Sequence, residues 1–152
     1  MTRIALCLLV LPALSACGEG DAPSVEILSA FPDALVPEDD TKDDLTLRVR
    51  YEDPTGDLGG GTARVHDCRS ASVITELEVP AIANEGAARE GVAISGELEL
   101  HVTDVGASPS GGRSETCDAA GAEPGAFCVV LVDAAGNESE PDCAEIAVTP
   151  GG

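Results

Sequence analysis

The chain has almost no aromatic side chains: its 152 residues include no tryptophan, one tyrosine (Tyr51) and two phenylalanines (Phe31 and Phe127). The large apolar areas that aromatics bring to a core are therefore missing, and Val, Ile, Leu and Ala must fill it. Basic residues are also scarce. Eight Lys and Arg stand against 28 Asp and Glu, a formal net charge of −20. Such a field repels nucleic acid and anionic membrane surfaces, which excludes a polyanion-binding role. Its complement is a cationic partner or a divalent metal, and its plainest use is to keep the chain soluble and monomeric. No helical hydrophobic period is visible. Also absent are a G-x-S-x-G elbow, an H-E-x-x-H pair and a phosphate loop. Carboxylates abound, but the aromatics that usually hold a sugar ring between two catalytic carboxyls do not. His66 and His101 both fall on the polar parity of their strands, which points them toward solvent rather than into a cleft. No enzyme is expected.

What is present begins at the N-terminus. Thr2-Arg3 is followed by an apolar stretch from Ile4 to about Leu14, then by the small residues Ser15 and Ala16, the order of a secretory signal. The stretch is about half the roughly 20 residues that a spanning helix needs, so cleavage is expected. Leu14-Ser15-Ala16-Cys17 resembles the lipobox of bacterial lipoproteins. That resemblance implies removal of residues 1–16, diacylation of the Cys17 thiol and acylation of its freed amine. Gly18, rather than Asp, follows the cysteine, which by the same resemblance implies the outer membrane. Residues 17–24 are then a lipidated tether and 25–152 a single domain. Arg3 is the only charged residue ahead of Cys17, so the segment from Cys17 onward carries 7 basic and 28 acidic residues, a charge of −21.

Six cysteines are present. Cys7 leaves with the signal and Cys17 takes the lipid, so Cys68, Cys117, Cys128 and Cys143 remain. In an exported, oxidising context an even set of four reads as two disulfides, with three connectivities open. No C-x-x-C pair and no His at zinc-ligand spacing supports a metal site instead. Two disulfides, each contributing typically about 2–4 kcal/mol, offset part of the thin core.

Downstream of the tether the chain alternates between short strands and Gly, Pro and Asp clusters. Val25-Glu26-Ile27 opens the series, and the acidic stretch from Asp33 to Asp44, with Pro37, reads as a loop. Leu45, Leu47, Val49 and Tyr51 then alternate with Thr46, Arg48, Arg50 and Glu52, a half-buried strand. The segment Asp53 to Gly61 breaks it. Ala63 and Val65 continue toward Cys68, and Val73 to Val79 alternates weakly. After a turn from Asn84 to Gly91, Leu98, Leu100 and Val102 point one way and Glu97, Glu99, His101 and Thr103 the other. A long polar connection from Asp104 to about Gly125 leads to the apolar run Phe127 to Val132, a central strand covered on both faces. Asp133 to Glu138 turns the chain, and Ala144, Ile146 and Val148 form the last strand. About seven short strands with frequent turn signals give an all-β antiparallel sandwich.

From Phe127 to Thr149, an apolar strand, the turn Asp133-Ala134-Ala135-Gly136-Asn137 and an alternating strand resemble the F strand, F–G loop and G strand of fibronectin type III and related immunoglobulin-like domains. The resemblance implies that Phe127, Val129 and Leu131 face inward and Cys128 outward. With Val132 opposite Ser139, it also implies Cys128 across from Cys143, leaving Cys68 with Cys117. One difficulty of this register is that the end of the last strand lies opposite Pro124 and Gly125. The same topology brings the B–C loop (Asp53 to Gly61) and the F–G loop (Asp133 to Asp142) to one end, where Asp53, Asp57, Asp133 and Asn137 converge. Hard oxygen donors from two loops suit calcium, which takes about 6–8 ligands. The competing reading is that Asp, Asn and Gly are there as turn formers. No cofactor other than calcium is suggested. The expected function is that of a lipid-anchored interaction or structural module of the bacterial cell envelope, held to a membrane through Cys17 and facing an envelope or extracellular protein. A calcium-binding adhesion module is the alternative, and an envelope enzyme a remote one.

Overall fold

The clearest alternation in the sequence becomes the central strand of one sheet. In the computed structural model, which describes residues 22–36, 43–71, 74–81, 91–105 and 112–149, β3 (Asp43–Asp53) buries Leu45, Leu47, Val49, Tyr51 and Asp53 on one face. Residues two apart share a face of a strand, and the opposite face of β3 carries Thr46, Arg48, Arg50 and Glu52. β1 (Ser24–Phe31) pairs antiparallel with β3 on one side and β6 (Ile94–Val105) on the other. β1 bulges between Ile27 and Ser29, so that Leu28 has no opposite residue. The Ile27 N–H donates to Asp142 Oδ2 at 2.6 Å, tying β1 to the far sheet. The solvent face of this three-stranded sheet is laced by Arg48–Glu97 and Arg50–Glu26 pairs and a Thr46–His101 contact.

The second sheet has the order β5-β4-β7-β8, all antiparallel, from β4 (Thr62–Asp67), β5 (Ile74–Glu78), β7 (Ala126–Val132) and β8 (Asp142–Glu145). In the lettering of immunoglobulin-like domains this is A-B-E facing C′-C-F-G. The protein is thus an all-β antiparallel sandwich. Between the sheets lie Leu45, Leu47, Val49, Leu100 and Val102 from one side and Ala63, Val65, Phe127, Val129 and Leu131 from the other, closed by Leu35, Leu58, Val79 and Ile146. Each fully buried Leu, Val or Phe contributes about 1.5–3 kcal/mol, so an aliphatic core serves despite Phe127 being the only Phe in it.

Every residue of β7 is buried, as an apolar run covered on both faces requires. Two of its outward side chains, Ala126 and Cys128, form a second, smaller core with Cys68 and Cys117, with Ala122 and Cys143 packed against it. This layer is held by α1 (Glu115–Ala119) and by disulfides Cys68–Cys117 and Cys128–Cys143. The pairing is the one implied by the resemblance. At the second disulfide the register is also as expected, Cys128 opposite Cys143. It slips by one residue further along, where Val132 bridges Glu138 rather than Ser139 and the Ser139 hydroxyl accepts the Leu131 N–H at 2.9 Å.

Three expectations are corrected. The connection from Asp104 to Gly125 contains α1 and the end of β6. Ser114 caps the helix by accepting the Cys117 N–H at 3.2 Å, and acidic Glu115 and Asp118 suit its first turn. The stretch from Asp33 to Asp44 is not all loop: β2 (Ala34–Leu35) lies within it, and Asp43 and Asp44 begin β3. The last strand is not continuous. It leaves β7 after Glu145, and β9 (Ala147–Val148) pairs parallel with β2. Ile146 still donates its N–H to the Gly125 carbonyl at 3.3 Å, and the change of partner after it keeps the strand from running on opposite Pro124. The first described strand starts at Ser24, within the expected tether.

Candidate functional site

Asp53 continues the inward parity of β3 one step past Tyr51, which carries a carboxylate into the mouth of the core. It is 1% exposed. The loop after it folds around this group. Oδ1 accepts the Thr55 N–H (2.9 Å) and hydroxyl (2.8 Å), and Oδ2 accepts the Leu58 N–H (2.7 Å). Burial pushes the Asp53 carboxyl up, but hydrogen bonds from the Thr55 hydroxyl and the N–H groups of Leu58, Thr55 and Gly56 outweigh it and hold it below the ordinary carboxylate value. Burial, with the Asp53 charge adding to it, pushes the Tyr51 phenol up. Gly56 takes φ +77° with its α-carbon against the Val92 carbonyl, a backbone that a side chain would clash with.

The two loops do meet. Ala134 N–H donates to the Asp57 carbonyl at 3.1 Å, and a side chain at Gly61 would strike the Val132 carbonyl. The carboxylates, however, turn into their own loops. Asp57 Oδ1 lies 2.5 Å from the Thr55 hydroxyl, whose single proton is shared between it and Asp53. Asp133, 3% exposed, accepts the Asn137 N–H and side-chain amide, each at 2.7 Å, and its own N–H donates to the Asn137 carbonyl. Each loop is thereby closed by an aspartate-centred turn. Asp53, Asp57 and Asp133 do not bring three carboxylate oxygens within 4.8 Å of one another. The only described group of three metal-capable side chains that close is Cys68, Cys117 and Cys128, all in disulfides. The described hydrogen bonds at this end are those of turn formation.

The histidines differ from each other. His101 is exposed on β6, as its parity suggests. His66 is buried, 6% exposed, between Ile74 and Cys128 on the flanking strands, and its Nδ1 has no hydrogen-bond partner. Burial lowers the His66 pKa, Arg64 lowers it further, and Glu138 opposes them. The expectation of a solvent-facing side chain fails because parity gives the side of a sheet, not what lies over it.

A polar pair in the same sheet escapes a reading by motif. Asp67 ends β4 buried, and its carboxylate accepts the Arg69 N–H, Nε and Nη2 at 3.0, 2.9 and 2.6 Å. The Arg69 guanidinium also lies 5.5 Å from the Phe127 ring centre. Its sequence signal is an Asp-x-Arg at a strand end, which is too common to single out. Cys17 and the lipobox lie outside the described residues, as do Glu38, Asp39 and Asp40. Among the described residues no helix is long and apolar enough to cross a membrane.

No protein-family model matches the chain, nor does any curated protein or solved structure. What the fold defines is a class: a two-disulfide, all-β antiparallel sandwich with a strand order of immunoglobulin-like type. A cystine layer lies over the outer face of β4 and β7.

Proposed function

We propose that the protein is a lipid-anchored interaction or structural module of the bacterial cell envelope, attached through Cys17, without catalytic activity, and presenting its loops or a sheet edge to an envelope or extracellular protein. The observation that carries the reading is the use of cysteine. All four described cysteines pair with each other, three of them fully buried, as suits an oxidising compartment. The cysteine of Leu14-Ser15-Ala16-Cys17 then has none of them as a partner and is free for acylation. Outer-membrane placement follows from Gly18 after the cysteine. The charge of −20 argues for a cationic or neutral protein surface as partner rather than nucleic acid. Metabolic labelling of the full-length chain in a Gram-negative host with a tagged fatty acid tests the anchor. Incorporation into the membrane-bound protein that disappears in Cys17→Ala is the expected result. Unlabelled, freely secreted protein would sink the reading.

The calcium-dependent alternative draws its support from the convergence of the two loops. Because the loop carboxylates already accept N–H and O–H donors from their own turns, we expect the same unfolding temperature in chelator and in millimolar calcium. A large upward shift, abolished by Asp57→Ala and Asp133→Ala, would establish the adhesion-type module instead.

A further inference from the structure

The two disulfides touch. Cys68 Sγ lies 3.3 Å from Cys128 Sγ, and the sulfurs of Cys68, Cys117 and Cys128 all fall within 4.8 Å of one another. Since all are oxidised, this is a sulfur–sulfur contact and no hydrogen bond. Cys68, Cys117 and Cys128 are fully buried. Cys143 is half-buried and lines a surface cavity of about 320 Å³ together with Ala122, Glu123, Pro141, Asp142 and Glu145. Cys143 is thus the half-buried cysteine at the cavity, and its partner Cys128 is in contact with the other disulfide.

We propose that the two disulfides form an exchange relay, entered at Cys143 by a small cationic thiol and ending in an isomeric Cys68–Cys128 bond. The entering thiolate attacks Cys143 Sγ, forming a mixed disulfide there and expelling Cys128 as a thiolate. Cys128 then attacks Cys68 Sγ, which breaks the Cys68–Cys117 bond and leaves the electron pair on Cys117. A second molecule of the thiol attacks the mixed disulfide, frees Cys143 and departs as the oxidised dimer. In sum, two thiols become one disulfide, one of the two protein disulfides is reduced, and Cys117 and Cys143 take up the two protons. Cys68 and Cys128 lie diagonally on one face, since the Cys68 N–H pairs with the Ala126 carbonyl. Diagonal neighbours lie about 7–8 Å apart at Cα, wider than the usual disulfide span, so the new bond draws the ends of the two strands together as the sulfurs close from 3.3 Å to about 2.05 Å.

The cavity selects the thiol. Glu123, Asp142 and Glu145 surround Cys143 with negative charge, which favours a cationic aminothiol over an anionic one. The attacking species at each step is a thiolate, so exchange accelerates as pH rises. The relay rests on the disulfide geometry and stands apart from the lipid-anchor reading.

The oxidised full-length chain, treated with limiting 2-aminoethanethiol, quenched in acid, alkylated and peptide-mapped, gives the test. A linked Cys68–Cys128 peptide pair with alkyl label on Cys117 and Cys143 is expected. Label confined to Cys128 and Cys143, with Cys68–Cys117 intact throughout, overturns the relay. Cys143→Ser presents Cys128 as a thiol with no reductant added. Its label should divide between Cys128 and Cys117; label on Cys128 alone again overturns the proposal. At equal thiolate concentration in low salt, 2-aminoethanethiol should react roughly tenfold faster than 2-mercaptoethanesulfonate. The gap should narrow in high salt. Equal rates at low salt would remove the entry point from the acidic cavity.

Discussion

The outer faces of the two sheets solve the same problem in opposite ways. On the three-stranded sheet, Arg48, Arg50, Glu26 and Glu97 meet solvent in cross-strand pairs, and nothing described covers them. On the four-stranded sheet, Cys128, Val130 and Val132 face outward and are buried all the same. The difference lies in what the rest of the chain supplies. A five-residue helix is too short to stand on its own in water, yet here it is held by a capping serine and a disulfide to β4. Sulfur thus takes the place of the missing aromatic rings as the covering layer, and one domain acquires a large aliphatic core and a small cystine core back to back.

The comparison can be broken most forcefully by removing the disulfides. In the chain-closure account, loss of Cys68–Cys117, which spans 49 residues, costs about 4 kcal/mol, and loss of Cys128–Cys143, which spans 15, about 3 kcal/mol. Urea unfolding of the paired alanine variants measures both. Should the shorter loop cost more, packing of the cystine layer and not chain closure would be the larger contribution of the sulfurs.

A finer probe uses two neighbours on one strand. Val129 faces the inter-sheet core and Val130 the outer layer, at 0% and 5% exposure. Val129→Ala should cost about 2 kcal/mol and Val130→Ala about 1 kcal/mol, because the side chains over the outer face can relax into the space left behind. Equal costs would mean that both sides of β7 are packed with the same rigidity.

The smallest effect expected is in the acid limb of stability, and it separates the two layers by pH. His66 belongs to the outer face and its folded pKa is lowered, so the folded state favours the neutral ring. Its contribution is complete above the unfolded value of about 6.5 and falls as pH drops through that value toward the folded one. Asp53 sits at the inter-sheet core with its pKa lowered. Its contribution is present above about 3.9 and falls as pH drops through the folded value. Urea midpoints measured from pH 8 to pH 3 should therefore decline in two stages, with His66→Gln flattening only the first and Asp53→Asn only the second.

Much of the inter-sheet core was legible because period-two alternation names the residues that share a face. Leu45 to Tyr51, Leu98 to Val102 and Phe127 to Leu131 are all buried or half-buried where their parity puts them. The disulfide partners followed from register once the sandwich was assumed. Less was legible where a segment depends on a distant partner. Ala34 and Leu35 form a strand only because Ala147 and Val148 come alongside, and α1 has too few residues to show a period. At the loop end, the spacing of Asp53, Asp57, Asp133 and Asn137 correctly brought two loops together. It could not show that each carboxylate would accept donors from its own turn, since an aspartate suited to a turn and one suited to calcium look alike in sequence.

One contact described above bears on how copies of the protein behave side by side. β1 is an edge strand, and an edge strand with free amides is a template on which a second chain can build. The Asp142 carboxylate occupies the Ile27 amide, and the bulge at Leu28 throws the amides on either side out of step. A strand arriving from another molecule finds at that point a negative charge in place of a donor. A single aspartate from the opposite sheet thus withdraws one amide of this edge from pairing with another chain.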